Sequence, residues 1–322
     1  MKYLWLALFV SASLQAATYN IAVIPKGTSH EFWKSIHAGA RKAEQELSTG
    51  NVKVNVNWKG PLREDDRDQQ ISVVENFTVR RVQGIVLAPL DRQALIAPVE
   101  SALRAKIPVV IIDSGLSSDK PLSYIATDNF RGGQLAAEHL GKLLNGQGKV
   151  ILLRYQVGSA STEQREAGFL DVMKSKFPNI QLISSDQYSG ATRDSAYQAA
   201  QNLLNRFGKD VNGVFCPNEN STIGMTMALR EIGKAGGKVK MVGFDSGSKS
   251  VMDLKNGDVQ GLVVQNPLLM GYMGVMTMVK SLQGEKVEKR IDTGVVLATP
   301  ENMDQPQIKE LLYPPIDQYL KE

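Results

Sequence analysis

From Tyr19 to Val264, short runs of β-branched and apolar residues alternate with longer stretches of helical period. This alternation constrains the fold more than anything else in the chain, because parallel strands need a crossover between them and a helix is the usual one. Strands are predicted at 19–24, 52–58, 84–87, 109–112, 124–127, 150–154, 180–184, 213–216, 239–244 and 261–264. Nearly all are continuously apolar, as strands covered on both faces are. Between them, Trp33, Ile36, Ala40, Ala43 and Leu47 fall on one helical stripe. Thr28 with Glu31, and Ser161 with Gln164, have the spacing of capping boxes ahead of helices. Such helix starts face the carboxyl edge of a parallel sheet, where ligands of open α/β folds bind.

Five βα-type units precede about residue 127 and a comparable series follows, so the chain divides into two similar lobes. No 20–50-residue repeat, low-complexity tract or Pro-rich linker separates them. The boundary near Ala126 lies inside continuous α/β pattern, which predicts strand-like crossings between lobes.

Composition narrows the function. The 322 residues carry 37 Lys+Arg against 33 Asp+Glu, a net charge of +4, with no clustered basic face to suggest nucleic acid. One cysteine, Cys216, excludes an internal disulfide and any cysteine-built zinc site, and three histidines leave little for a metal centre. Lys2 precedes an uncharged run with an apolar centre from Leu4 to Val10 and small residues at its end. Too short to span a bilayer, this run reads as a secretory signal peptide cleaved after Ala16 or Ala17.

The motifs of enzymes fail in turn. Neither a P-loop nor a G-x-G-x-x-G follows the first strand, where Ile24-Pro25-Lys26-Gly27 stands instead. His30-Glu31 starts like a zinc-protease helix, but Lys34 occupies the second ligand position. Gly243-Phe244-Asp245-Ser246-Gly247 imitates a nucleophile elbow without a paired histidine, and Cys216 reads as a small buried hydrophobe. No cofactor is implied.

A different pattern recurs. Polar or aromatic residues lie just beyond several strand ends: His30, Phe32 and Trp33, then Asp113 and Ser114, then Arg165, Asn218, Asp245 and Gln265. Forked side chains grip adjacent hydroxyls while an aromatic face packs the C–H face of a sugar ring, so this set suits a polyhydroxylated ligand.

At these positions the chain resembles the periplasmic sugar-binding proteins of the ribose-binding, type I family, which feed ABC importers. The likeness spans the mature chain and is carried by Phe32-Trp33, by 107–113, by Ala126-Thr127-Asp128-Asn129, by 165–169, by Val214-Phe215 with Asn218, and by Val242-Gly243-Phe244-Asp245. It implies an α/β protein of two Rossmann-like lobes with parallel sheets, joined by a three-strand hinge that closes on ligand. The implied lobes are 17–126 plus about 266–293, and 127–265 plus about 294–322. Carried over by position, His30 stands where the family often has a sugar-bonding asparagine, and Phe32 and Trp33 where it has stacking aromatics. Asp113, Arg165, Asn218, Asp245 and Gln265 match polar contacts. Ser114 replaces an arginine of the ribose binder and Ala191 stands about where that protein has an aromatic plate, so the ribose pocket is not reproduced. His30 and Arg154 are extra groups able to read another hydroxyl pattern.

Each residue has a plainer alternative. Phe32 and Trp33 can be core; Asp113 and Asp245 can cap helices; Arg165 can pair with Glu163 or Glu166 on the surface. Asn218 and Gln265 can serve loop or hinge bonding, His30 can cap its helix, and Arg154 can bridge the lobes. Arg165 and Arg154 facing Asp113 and Asp245 would make a near-neutral pocket, favouring a neutral monosaccharide or polyol. The expected partners are that ligand and the permease of an ABC importer, for a monomer. The alternative is a sensor presenting its ligand to a histidine kinase or chemoreceptor. A sugar-responsive repressor would need a helix-turn-helix where the signal peptide stands, and a hydrolase using Asp245 is the remaining contender.

Overall fold

The computed structural model describes residues 17–320. The signal peptide expected at 1–16 lies outside the described residues. Two six-stranded sheets form the frame. The first contains β1 (Ala17–Ile24), β2 (Val52–Trp58), β3 (Gly84–Leu87), β4 (Val109–Ile112), β5 (Ser123–Ala126) and, late in the chain, β11 (Arg290–Asp292). The second contains β6 (Gly148–Leu152), β7 (Ile180–Ser184), β8 (Gly213–Phe215), β9 (Lys240–Phe244), β10 (Gly261–Val264) and β12 (Val296–Ala298). Their orders, β11-β5-β4-β3-β1-β2 and β12-β10-β9-β8-β6-β7, repeat one another. Every ladder is parallel except β10 with β12.

The apolar strands are buried because helices cover both faces. On the first sheet, α1 (Glu31–Leu47) and α9 (Pro267–Leu282) cover one face, and α2 (Arg67–Val79) and α3 (Ile96–Arg104) the other. On the second, α4 (Asn129–Leu143) and α5 (Ala160–Lys176) cover one face. The other takes α6 (Arg193–Phe207), α7 (Glu219–Glu231), α8 (Ser248–Lys255) and α10 (Pro306–Leu312). The predicted stripe of α1 buries Trp33, Ile36, Ala40 and Ala43 as expected. Glycines let helix pairs in both lobes touch closely: a Cβ at Gly39 would lie 1.9 Å from the Leu268 carbonyl oxygen, and one at Gly133 1.9 Å from that of Arg165.

The chain passes between the sheets three times, after β5, after β10 and between β11 and β12. These crossings are laced together: Thr127 Oγ1 donates to the Gly294 carbonyl at 3.1 Å and Arg290 Nη1 to that of Ala126 at 2.8 Å. A 3-10 turn, Ile316–Gln318, then returns to pack on α1, although Leu312 just before it is buried against the second sheet. The three-residue β11 is polar and β12 sits in the short apolar run 295–298, and no strand is predicted from the sequence at either.

Neither expected capping box forms. The N-cap of α1 is His30, with no side-chain cap bond; Thr28 donates instead to the Pro61 carbonyl. Helix α5 begins at Ala160, so Ser161 lies within it and its hydroxyl faces Lys26. Spacing alone does not fix where a loop turns into its helix. Boxes form instead at Thr192 with Ser195 and at Asn218 with Ser221.

Candidate functional site: a cavity between the lobes

The carboxyl edges of the two sheets face each other across a cavity with about 290 Å³ free of protein atoms. Wider crevices open elsewhere, such as one between Trp58 and the C-terminal tail, but none gathers so many buried polar groups.

Eight of the residues singled out in the sequence line it: His30, Phe32, Trp33, Asp113, Arg165, Asn218, Asp245 and Gln265. Asp113 follows β4 and Asp245 follows β9, one at the edge of each sheet, and both hold left-handed backbone, φ 60° and 71°. Asp and Asn tolerate that region better than most residues, and a non-glycine held there often marks a site. Asp113 pairs with Lys26 at 3.2 Å. Asp245 accepts from Gln265 Nε2 at 2.6 Å and from the Glu219 amide at 3.0 Å. Burial nevertheless pushes its carboxyl up to about 6, against the pull of Arg165.

Arg165 is 2% exposed and forms no surface ion pair. Its guanidinium donates to Asn129 Oδ1 and the Pro217 carbonyl, and lies 3.9 Å from the Phe244 ring centre. Its alternative partners are engaged elsewhere, Glu163 with Arg92 and Glu166 with Arg154. Phe32 and Trp33 meet edge to face, and Trp33 serves core and cavity at once. Asn218 both lines the cavity and caps α7, so its two readings hold together.

Two of the ten are turned away. Arg154 bonds Glu166 at 2.9 Å and the Ser185 carbonyl at 2.6 Å, all within the second lobe, so it neither lines the cavity nor bridges the lobes. Ser114 is fully buried, and its Oγ accepts the Ser161 amide proton from the other lobe at 3.1 Å. Ala191 is also absent from the lining.

Five lining residues went unpredicted: Lys26, Glu64, Tyr155, Ser161 and Thr162. Lys26 reaches Asp113 in its own lobe and Ser159 and Ser161 in the other, each at 3.2 Å. Glu64, from the segment between β2 and α2, accepts from Trp33 Nε1 at 3.0 Å and from the Tyr155 hydroxyl of the second lobe at 2.8 Å. Lys26 and Tyr155 obey the same strand-end rule that found Asp113; Glu64 follows no strand and gives no signal.

Opposed charges meet here with different members and one acid in excess: Lys26, Arg165 and His30 stand against Glu64, Asp113, Asp245 and nearby Glu219. The cavity thus combines charge pairs, forked donors and acceptors, and aromatic faces. Cys216 plays no part: it is buried, and burial pushes its thiol up, away from reactivity.

Residues 21–286 match the family described as periplasmic binding protein domain. The chain is 30% identical over 286 residues to the ribose import binding protein of Haemophilus influenzae, covering 89% of this chain and 93% of that one. In structure it is similar to a carbohydrate transporter solute binding protein from Agrobacterium radiobacter solved in complex with D-arabinose. Identity there is 36%, the TM-score 0.87, and coverage 92% of this chain and 99% of the other. An ABC transporter solute binding protein from Agrobacterium vitis with bound D-fucose is similar at 37% identity and TM-score 0.86, covering 91% and 100%.

Proposed function

The chain belongs to the periplasmic binding protein domain family, and from that premise we propose that it captures a neutral monosaccharide or polyol between its lobes and delivers it to the membrane components of an ABC importer. The observation that carries this reading is the cavity itself. Asp113, Arg165, Asn218, Asp245 and Gln265 converge on it from both lobes beside Phe32, Trp33 and Tyr155. Charged hydrogen bonds to hydroxyls contribute about 1.5–3 kcal/mol each, and opposed charges leave nothing to favour an anion. The relatives are binding proteins rather than enzymes, and nothing in the cavity favours the sensor alternative. One copy suffices, because a single chain supplies the whole lining, and residues 1–16 serve as the export signal removed on the way to the periplasm.

Thermal-shift measurements against D-ribose, D-arabinose, D-fucose, D-allose and a polyol series test the proposal. At a hundredfold excess over Kd, a bound sugar adds about 2.7 kcal/mol of stability and raises Tm. Arg165→Ala is expected to weaken that binding at least tenfold by calorimetry, since it removes a forked donor from the cavity and leaves Asp245 without its facing cation. A flat Tm across the panel would overturn the sugar reading, and unchanged affinity in the variant would remove Arg165 from the site.

A further inference from the structure

Both ring nitrogens of His30 face carboxylates of the protein. Nε2 is hydrogen-bonded to Glu64 Oε1, and Nδ1 looks at Glu219 Oε2 from 3.5 Å. The two carboxylates come from opposite lobes: Glu64 precedes α2 on the first, and Glu219 opens α7 on the second. All three side chains are nearly sealed from solvent, at 10%, 6% and 2% exposure. Nδ1 of His30 and Oε2 of Glu219 are both buried without a hydrogen-bond partner, so each is left to face the other. Two buried carboxylates brought toward one point favour a positive charge between them.

We propose that His30 is a positioning residue for lobe closure: its imidazolium is clasped between Glu64 of one lobe and Glu219 of the other, so that closing on a sugar takes up a proton. Other charged groups around the ring are engaged elsewhere. Glu31 holds the amide and hydroxyl of Ser248, Lys26 holds Asp113, Arg63 pairs with Asp65, and Lys34 lines the separate crevice beside Trp58. Across the cavity, Asp245 is bonded to Gln265 and Arg165 to Asn129.

The direction of the linkage follows from the environment. Burial works against charge on His30, yet the two carboxylates hold it well above its ordinary 6.5. Opening the cleft removes Glu219 while Glu64, in the same lobe as His30, stays beside the ring, so the imidazole titrates lower in the open form than in the closed one. Below about pH 6.5 it is charged in both forms, and closure exchanges no proton through it. Above that, the closed form binds the extra proton and affinity falls as pH rises, by at most about tenfold per unit. Asp245, pushed to about 6, exerts its own pH effect at and below that value, so the two are separable.

The inference rests on the sugar-binding reading above, and its test tells the two apart. Titration calorimetry with D-ribose, D-arabinose, D-fucose and D-allose, between pH 7 and 8.5 in buffers of different ionisation enthalpy, gives affinity and proton uptake together. For whichever of these four sugars binds most tightly, the parent protein is expected to lose about threefold to tenfold in affinity from pH 7 to 8, with net proton uptake. His30→Gln should bind more weakly with a flat profile and no uptake. Glu219→Gln, which leaves the His30–Glu64 pair intact, should lose most of the slope, so the clasp is tested even where the first variant folds poorly. Asp245→Asn should keep the slope above pH 7. Equal slopes in the parent, His30→Gln and Glu219→Gln would overturn the clasp while the sugar reading stands; no binding by any of the four would overturn both.

Discussion

Alternation of side chains along extended backbone decides which strand-end residues reach the cavity. Successive residues point to opposite sides, so past β6 it is Tyr155 that enters the lining while Arg154 turns outward to Glu166. Past β4, Asp113 lines the cavity and Ser114 is spent on the Ser161 amide. The strand ends were legible because apolar runs mark them, but which of two neighbours faces inward depends on a kink the sequence does not display. Glu64 was illegible for another reason: its segment is neither strand nor helix, and only tertiary packing brings it to Trp33 and Tyr155. His37 yields a prediction at this scale. Its ring is stacked on Trp58 at 4.5 Å, and burial, helped by Arg41, lowers it to about 4 from 6.5. A histidine depressed in the folded state favours folding above its unfolded pKa and loses that contribution as pH falls toward its folded one. The difference in urea midpoint between the parent and His37→Gln should therefore shift against the parent from pH 6.5 down to 4 and level off below; a pH-independent difference would contradict it.

At the scale of elements, helix pairs in glycine contact hold each lobe, α1 with α9 in the first and, in the second, α4 with α5 as well as α6 with α7 at Gly224. The first two contacts differ in what they touch. Gly133 abuts the carbonyl of Arg165, which carries a cavity side chain, whereas Gly39 abuts that of Leu268, which does not line the cavity. A methyl group at either site overpacks the contact and costs about 1–3 kcal/mol. Gly39→Ala should lower Tm and leave sugar affinity near the parent value; Gly133→Ala should lower both. Equal loss of affinity in the two would show that α5 does not set the position of Arg165. The strands and the stripe of α1 were readable because their burial is periodic in the sequence. The helix starts were not, because Thr28 and Ser161 found partners across space, Pro61 and Lys26, in place of the local caps their spacing suggested.

At the scale of the molecule, closure is written in bonds that cross between lobes: Lys26 to Ser159 and Ser161, Tyr155 to Glu64, Ser248 to Glu31, and the Ser161 amide to Ser114. In an open form water satisfies the Ser161 amide; in the closed form only Ser114 does. Removing that acceptor leaves a buried amide unpaired, at about 1–3 kcal/mol. Ser114→Ala is thus expected to raise Kd by about fivefold or more, mainly through faster release of sugar seen in stopped-flow fluorescence, with little change in Tm of the sugar-free protein. An unaltered off-rate would mean that this bond forms in the open protein too. The sealed thiol of Cys216, the single cysteine of the chain, has a practical consequence. A cysteine introduced at an exposed rim position such as Leu62, 66% accessible, would be the sole group a maleimide dye can reach, so this scaffold lends itself to a reagentless optical sugar sensor with no native residue to remove.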